Sequence, residues 1–265
     1  MKQWIPFLKK TPKVAVVRLS GVIASSGRGR LNDAGIGPVL ERAFKKGKPD
    51  AVALILNSPG GSPAQSSLIA ARIQRLAQEN DTKVFAFVED VAASGGYWLA
   101  CAADEIWVDQ SSVVGSIGVI SSGFGLDELI AKHGVSRRVY TAGKSKSSLD
   151  PFKPENPEDL KRLEGYLSQL HEIFIDHVQT RRSGKLSGEA DLFNGEIWIG
   201  QKAAELGLVD GVGHLVPKMK EHFGEKVQFM KYGQKKGLFQ RFGAEIVHDA
   251  IAGIEERAEY ARFGL

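Results

Sequence analysis

The chain has 265 residues, 43% hydrophobic and 25% charged, with a formal net charge of +4. This is the composition of an ordinary globular protein, and it excludes a collagen-like or low-complexity chain. Cys101 is the single cysteine, which excludes an intramolecular disulfide and Cys₄ or Cys₂His₂ zinc sites.

Before Asp33 the chain carries Lys2, Lys9, Lys10, Lys13, Arg18, Arg28 and Arg30 and no acidic residue, with Trp4, Ile5, Phe7 and Leu8 among them. The plain reading is a solvated terminus; the sharper one is a weak contact with an anionic membrane surface. No base-stacking motif accompanies the charge, so nucleic acid is not an expected partner. No apolar run reaches the roughly 18 residues of a spanning helix, and residues 1–8 are too short and polar for a signal peptide. The expected location is cytoplasmic, with at most peripheral membrane contact.

Strand and helix signals then alternate. The runs 14–19, 51–56 and 83–88 are apolar and β-branched, at the length of buried strands. Residues 106–108 and 117–120 read as shorter strands. Helical spacing of Val39, Leu40, Ala43 and Phe44, and of Leu68, Ile69, Ile73 and Leu76, places helices over 38–44 and 66–76. This rhythm predicts parallel βαβ units. Leu160, Leu163, Leu167, Leu170, Phe174 and Val178 predict a long amphipathic helix, with Glu158 and Asp159 at its start and Arg181 and Arg182 near its end. A further helix spans 201–206, with Gly207 as its C-cap. Val247, Ala250, Ile251, Ile254, Ala258 and Ala261 form a last helical stripe. Residues 143–157 read as an exposed polar loop.

Three glycine-rich strand exits could carry chemistry. Asn57-Ser58-Pro59-Gly60-Gly61-Ser62 follows the second strand, and such a turn can aim backbone N–H groups at an anion. Ala92-Ala93-Ser94-Gly95-Gly96-Tyr97 follows the third and opens a helix over 97–103. There Ser94 is either a helix cap or a nucleophile beside oxyanion-holding N–H groups. Gly115-Ser116-Ile117-Gly118 is the third exit. A hydroxyl nucleophile needs a base. Of His133, His171, His177, His214, His222 and His248, four (His171, His177, His222 and His248) fall on predicted helices and His133 closes one, so a Ser-His-Asp triad is poorly signposted. The other option lies in Gly143-Lys144-Ser145-Lys146-Ser147-Ser148, after a strand expected over 138–141. An ordinary lysine, with a pKa of about 10.4, accepts no proton at neutral pH, but burial away from acids lowers it. No acidic residue lies between Val139 and Leu149.

Taken in order, Asn57-Ser58-Pro59-Gly60-Gly61, Ala93-Ser94-Gly95-Gly96-Tyr97, Gly115-Ser116-Ile117-Gly118 and Gly143-Lys144-Ser145-Lys146 resemble the signal peptide peptidase A (protease IV, S49) family of Ser–Lys peptidases. The run from Gly195 to Asp210, with Gly195-Glu196-Ile197-Trp198 at its head, is also similar, and the resemblance spans residues 14–213. It implies Ser94 as nucleophile, Lys146 as general base and Ser116 as the residue orienting that lysine. It also implies an oxyanion hole from Gly60, Gly61 and the Gly95 N–H; spacing alone leaves Lys144 as an alternative base. The implied fold class is α/β, a ClpP/crotonase-like fold of repeated βαβ units with a helical C-terminal extension. The expected organisation is one domain over 1–265: a basic segment 1–13, a core 14–213 and an extension 214–265. The implied function is a serine endopeptidase acting on signal peptide remnants or other extended peptides. Peptides are the expected partners, no cofactor or metal is called for, and a homo-oligomeric ring with sites between subunits is implied. The rival readings are a crotonase-type acyl-CoA enzyme using Glu89 and Asp90, and a non-catalytic ring scaffold.

Overall fold

The computed structural model describes residues 11–27, 29–188, 191–233 and 257–265. The basic residues Lys2, Lys9, Lys10 and Arg28, the four apolar side chains from Trp4 to Leu8, His248, and Val247, Ala250, Ile251 and Ile254 of the last stripe lie outside them. The chain divides into two compact units, Met1–Ile117 with His177–Leu265, and Gly118–Asp176.

The first unit is built on one sheet. β1 (Lys13–Ser20), β2 (Ala51–Ser58) and β3 (Lys83–Ala93) are its central strands. The order is β6-β5-β3-β2-β1-β8, where β5 is Val113–Gly115, β6 is Ile197–Ile199 and β8 is Gln228–Tyr232. β4 (Glu105–Val108) also pairs with β3, and β7 (Gly211–Val212) pairs with β4. All pairings are parallel except β5 with β6. α1 (Asp33–Lys45) and α2 (Pro63–Asn80) make the crossovers, as the repeated βαβ reading requires. Side chains alternate across the sheet. Ala15, Val17, Val52 and Leu54 are fully buried on one face. On the other, Val14, Val16, Ala51, Ala53, Phe85 and Phe87 form a cluster with Met219 of α7 (Leu215–Phe223). Arg72 ties the two crossover helices together with paired bonds of 2.7 Å to Asp33.

Three elements of this unit differ from the sequence reading. β3 runs to Ala93 instead of ending at Val88, because it absorbs a bulge: Leu56 faces Val88, but Ser58 faces Ala92. The two charged residues inside it are accommodated by partners, Glu89 on Arg18 and Asp90 on Asn57. The strand expected over 117–120 is instead β5, a few residues earlier, where Gly115 and Ser116 both take positive φ and end the pairing. The extension after residue 213 is not helical throughout. It contributes α7 and then β8, which pairs with β1, and Phe229 of β8 packs against the sheet cluster. Residues 257–261 are helical, as the stripe predicts.

The second unit holds α4 (Asp127–Lys132) and most of α5 (Pro157–Arg181). The strand expected over 138–141 does not form, and residues 142–149 are bends and turns. Phe174 is the one buried residue of this unit. Phe124 and Tyr140 are 85% and 91% exposed, so these rings gain nothing from folding of the unit alone. Among the described residues no helix is long and apolar enough to cross a membrane.

Candidate active site

The exits of β2, β3 and β5 lie side by side. Ala93 pairs with Gly115, so Ser94 and Ser116 leave neighbouring strands at matching register. The Ser94 N–H donates to the Gly115 carbonyl at 2.8 Å, and the Ser116 N–H donates to the Glu196 carbonyl at 2.7 Å. Both serines have φ +51, a conformation that costs a non-glycine residue energy and persists only where its surroundings enforce it.

Ser94 precedes α3 (Gly95–Ala100) but makes no side-chain capping bond, so the helix-cap reading fails. It is half-buried, while Ala93 and Gly95 beside it are buried. The hydroxyl is therefore held at a strained corner with an open side.

The turn of residues 57–61 packs directly on that corner. A Cβ on Gly60, at φ +104, would lie 2.8 Å from the Ser94 Cβ and the Gly95 N. One on Gly61, at φ +136, would strike the Ile23 carbonyl. Only glycine fits both the dihedrals and the space. Ser58 is fully buried and fixes the turn from inside: its hydroxyl donates to the Gly21 carbonyl at 2.7 Å and accepts the Gly60 N–H at 3.2 Å. The Gly60 carbonyl accepts the Ile23 N–H, and the Ser62 N–H donates to the Ile23 carbonyl. The N–H groups of Gly61 and Gly95 have no acceptor among the described residues. Two free N–H donors beside a serine hydroxyl are the parts an oxyanion hole needs.

Of the residues singled out from sequence, the first unit brings together Ser94, Ser116, Gly60, Gly61 and Gly95. Lys144 and Lys146 belong to the second unit and are both exposed. The burial that a lysine base calls for is not supplied to Lys146 by that unit itself. Lys144 lines an open groove of about 900 Å³ there, along with Ser147, Ser148, Asp159 and Arg162. Two histidines of the first unit are engaged elsewhere: His222 lies against Phe85 and faces Glu105 at 3.3 Å, and His177 stacks on Trp98. Burial holds the His177 imidazole below its ordinary pKa. Glu89 and Asp90, the carboxylates of the acyl-CoA reading, are engaged by Arg18 and Asn57.

Sequence reasoning missed Ser58, whose role depends on a carbonyl 37 positions away. It also missed Tyr260. The hydroxyl of Tyr260 donates to the Asn57 carbonyl at 2.8 Å, and Tyr260 and Phe263 pack on Val91, Ala93 and Val113.

Comparisons with known proteins bear on the family and the fold. Peptidase family S49 matches residues 77–224. A Na(+)/H(+) antiporter, NhaA, of Brucella melitensis is 45% identical over 286 residues, covering all of this chain and 39% of that protein. "Probable protease SohB" of Haemophilus influenzae is 34% identical over 76% of this chain and 57% of its own length. The chloroplastic serine protease SPPA of Arabidopsis thaliana is 32% identical over 77% of this chain and 31% of its own. The chain thus spans between 31% and 57% of these relatives' lengths. Among solved structures, a mutant of the 1510-N membrane-bound stomatin-specific protease superposes with a TM-score of 0.54 at 15% identity, covering 85% of this chain and 99% of that one, which shows a shared fold. With its glycine–serine strand exits inside a ClpP/crotonase-like α/β fold and this family matched over more than half its length, the chain belongs to peptidase family S49.

Proposed function

We propose that this chain is a serine endopeptidase with Ser94 as nucleophile and Lys146 as general base. The observation that carries this reading is Ser94 itself, held at φ +51 against the Gly60 turn, with the Gly61 and Gly95 N–H groups free beside it. The Ser94 hydroxyl attacks a peptide carbonyl and gives its proton to the Lys146 amine. The oxyanion is held by the Gly61 and Gly95 N–H groups, and Ser116 orients the lysine. The amine leaves with the proton, and water then releases the acyl group. Substrates are extended peptides, such as signal peptide remnants or unfolded segments.

The chemistry requires a desolvated lysine, and Lys146 is exposed in the isolated chain. The second unit also leaves Tyr166, Leu170 and Ile173 of α5 exposed, along with Phe124 and Tyr140. Both features support a homo-oligomeric ring in which a second copy covers this unit and completes the site. A cytoplasmic place beside a membrane fits the basic N-terminal sequence and the occurrence of a related segment within a longer protein named as an antiporter.

The test is cleavage of a panel of fluorogenic peptides from pH 6 to 10, with fluorophosphonate labelling and light scattering on the same preparation. Cleavage that rises toward alkaline pH, with label on Ser94 in an oligomer, is the expected result. An oligomer that neither cleaves peptides nor takes the label would overturn the reading in favour of a scaffold. Turnover of acyl-CoA instead would point to the crotonase chemistry. Gly61→Ala tests the oxyanion hole separately. The added Cβ displaces the Ile23 carbonyl, so kcat should fall by about a hundredfold or more. Wild-type kcat in that variant would remove Gly61 from the mechanism.

A further inference from the structure

The C-terminal segment bears on all three strands whose exits build the site. Tyr260 reaches β2 through its hydroxyl, which donates to the carbonyl of Asn57 at 2.8 Å. Asn57 opens the turn that carries Gly60 and Gly61, and its carbonyl also accepts the Gly21 N–H at 2.9 Å. The rings of Tyr260 and Phe263 pack on Val91 and Ala93 of β3 and on Val113 of β5. Ala93 immediately precedes Ser94, and β5 delivers Ser116. Both aromatic residues are half-buried, as expected of side chains pressed onto a sheet face from outside. The local geometry needs such a support. β3 is bulged just before this point, and Ser94 and Ser116 both sit in a strained conformation that relaxes unless the flanking strands are held. The bulge interrupts the ladder between Leu56 and Ser58, so the hydrogen bonds of the sheet alone fix the exits weakly there. Tyr260 restores a link across that gap, from the tail to β2, while its ring and that of Phe263 bear on β3 and β5.

We infer that Tyr260 and Phe263 are positioning residues for the reaction: the C-terminal segment clamps the exits of β2, β3 and β5, and thereby fixes the turn of residues 57–61, Ser94 and Ser116 in register. The inference rests on the peptidase reading. Neither residue touches the reacting atoms; they act through the backbone that carries them. A clamp of this kind sets the alignment of nucleophile and oxyanion donors, so it acts on kcat and on acylation more than on peptide binding.

The experiment compares Tyr260→Phe, Phe263→Ala and Phe263→Leu with wild type in the full-length oligomer. Peptide cleavage, the rate of fluorophosphonate labelling at Ser94 and the melting temperature are each measured. Tyr260→Phe keeps the ring and removes one hydrogen bond; kcat and the labelling rate are expected to fall about fivefold, with KM within twofold and melting unchanged. Phe263→Ala is expected to lower kcat about tenfold, and Phe263→Leu to restore most of it. Wild-type kcat and labelling in Tyr260→Phe would overturn the inference. So would a loss in Phe263→Ala that merely follows its melting temperature, which marks a structural cover. A rise in activity in any of these variants would also overturn it, because the segment would then be a block on the site. If wild-type protein neither cleaves nor labels, the peptidase reading falls and this inference with it. If wild type is active and Tyr260→Phe matches it, only the positioning role falls.

Discussion

Replacing Ser94 by alanine is expected to lower peptide cleavage by at least about a thousandfold, leaving assembly and melting temperature unchanged. Alanine tolerates φ +51 no better and no worse than serine, and the Ser94 hydroxyl makes no capping bond whose loss would unsettle α3. The only thing removed is the hydroxyl proposed as nucleophile. Lys146→Ala should match that loss, because a serine hydroxyl without a base is a weak nucleophile. Lys144→Ala is the informative partner, since Lys144 lines the groove of the second unit. It should retain kcat within about threefold. If Lys144→Ala loses activity and Lys146→Ala keeps it, the base is Lys144. If Ser94→Ala retains more than a tenth of wild-type cleavage, Ser94 is not the nucleophile.

What the sequence made legible was the set of parts on the central strands. The apolar runs of β1, β2 and β3 are long, and each ends at a glycine pair or a serine–glycine step, so both strands and turns announce themselves. β6, β7 and β8 are two to five residues long, too short to show a period. The bulge in β3 was hidden because Glu89 and Asp90 read as the end of a strand; their partners, Arg18 and Asn57, lie on other strands. The positive φ of Ser94 and Ser116 is a tertiary consequence, imposed by the Gly60 turn and by Glu196, and no local pattern encodes it. The lysines show the reverse case. Their small-residue setting suggested a buried base, yet both are exposed, in a unit that buries almost nothing. The link from Tyr260 to Asn57 spans 203 positions and has no sequence signal at all.

The largest effect on stability is expected from Asp210→Ala. Arg182, just after α5, is 2% exposed; its guanidinium donates to Asp210 at 2.7 Å and twice to the Gly207 carbonyl. Removing the carboxylate leaves a buried cation without its partner, which costs about 3–5 kcal/mol and should lower the melting temperature by roughly 10 °C. The carboxylate also accepts the Ile106 N–H of β4 at 2.7 Å, so the ladder between β4 and β7 loosens with it. Acid should expose the same contribution. Burial pushes the Asp210 carboxyl up, but the hydrogen bonds from Arg182 and Lys185 more than offset this and hold it below the ordinary range. A depressed carboxylate stabilises the fold above its unfolded pKa of about 3.9, and that stability is lost as pH falls through the folded value. The gap in melting temperature between wild type and Asp210→Ala should therefore be full at neutral pH and narrow below about pH 4. A gap that stays constant into acid would mean that Asp210 acts by packing and not by charge. Well below both melting temperatures, kcat should agree within about threefold, because Arg182 and Asp210 hold α5 to β4 and touch neither the Gly60 turn nor Ser94. A tenfold loss of kcat in fully folded Asp210→Ala would tie this pair to the site through Tyr97, whose hydroxyl donates to the Leu208 carbonyl two residues before Asp210.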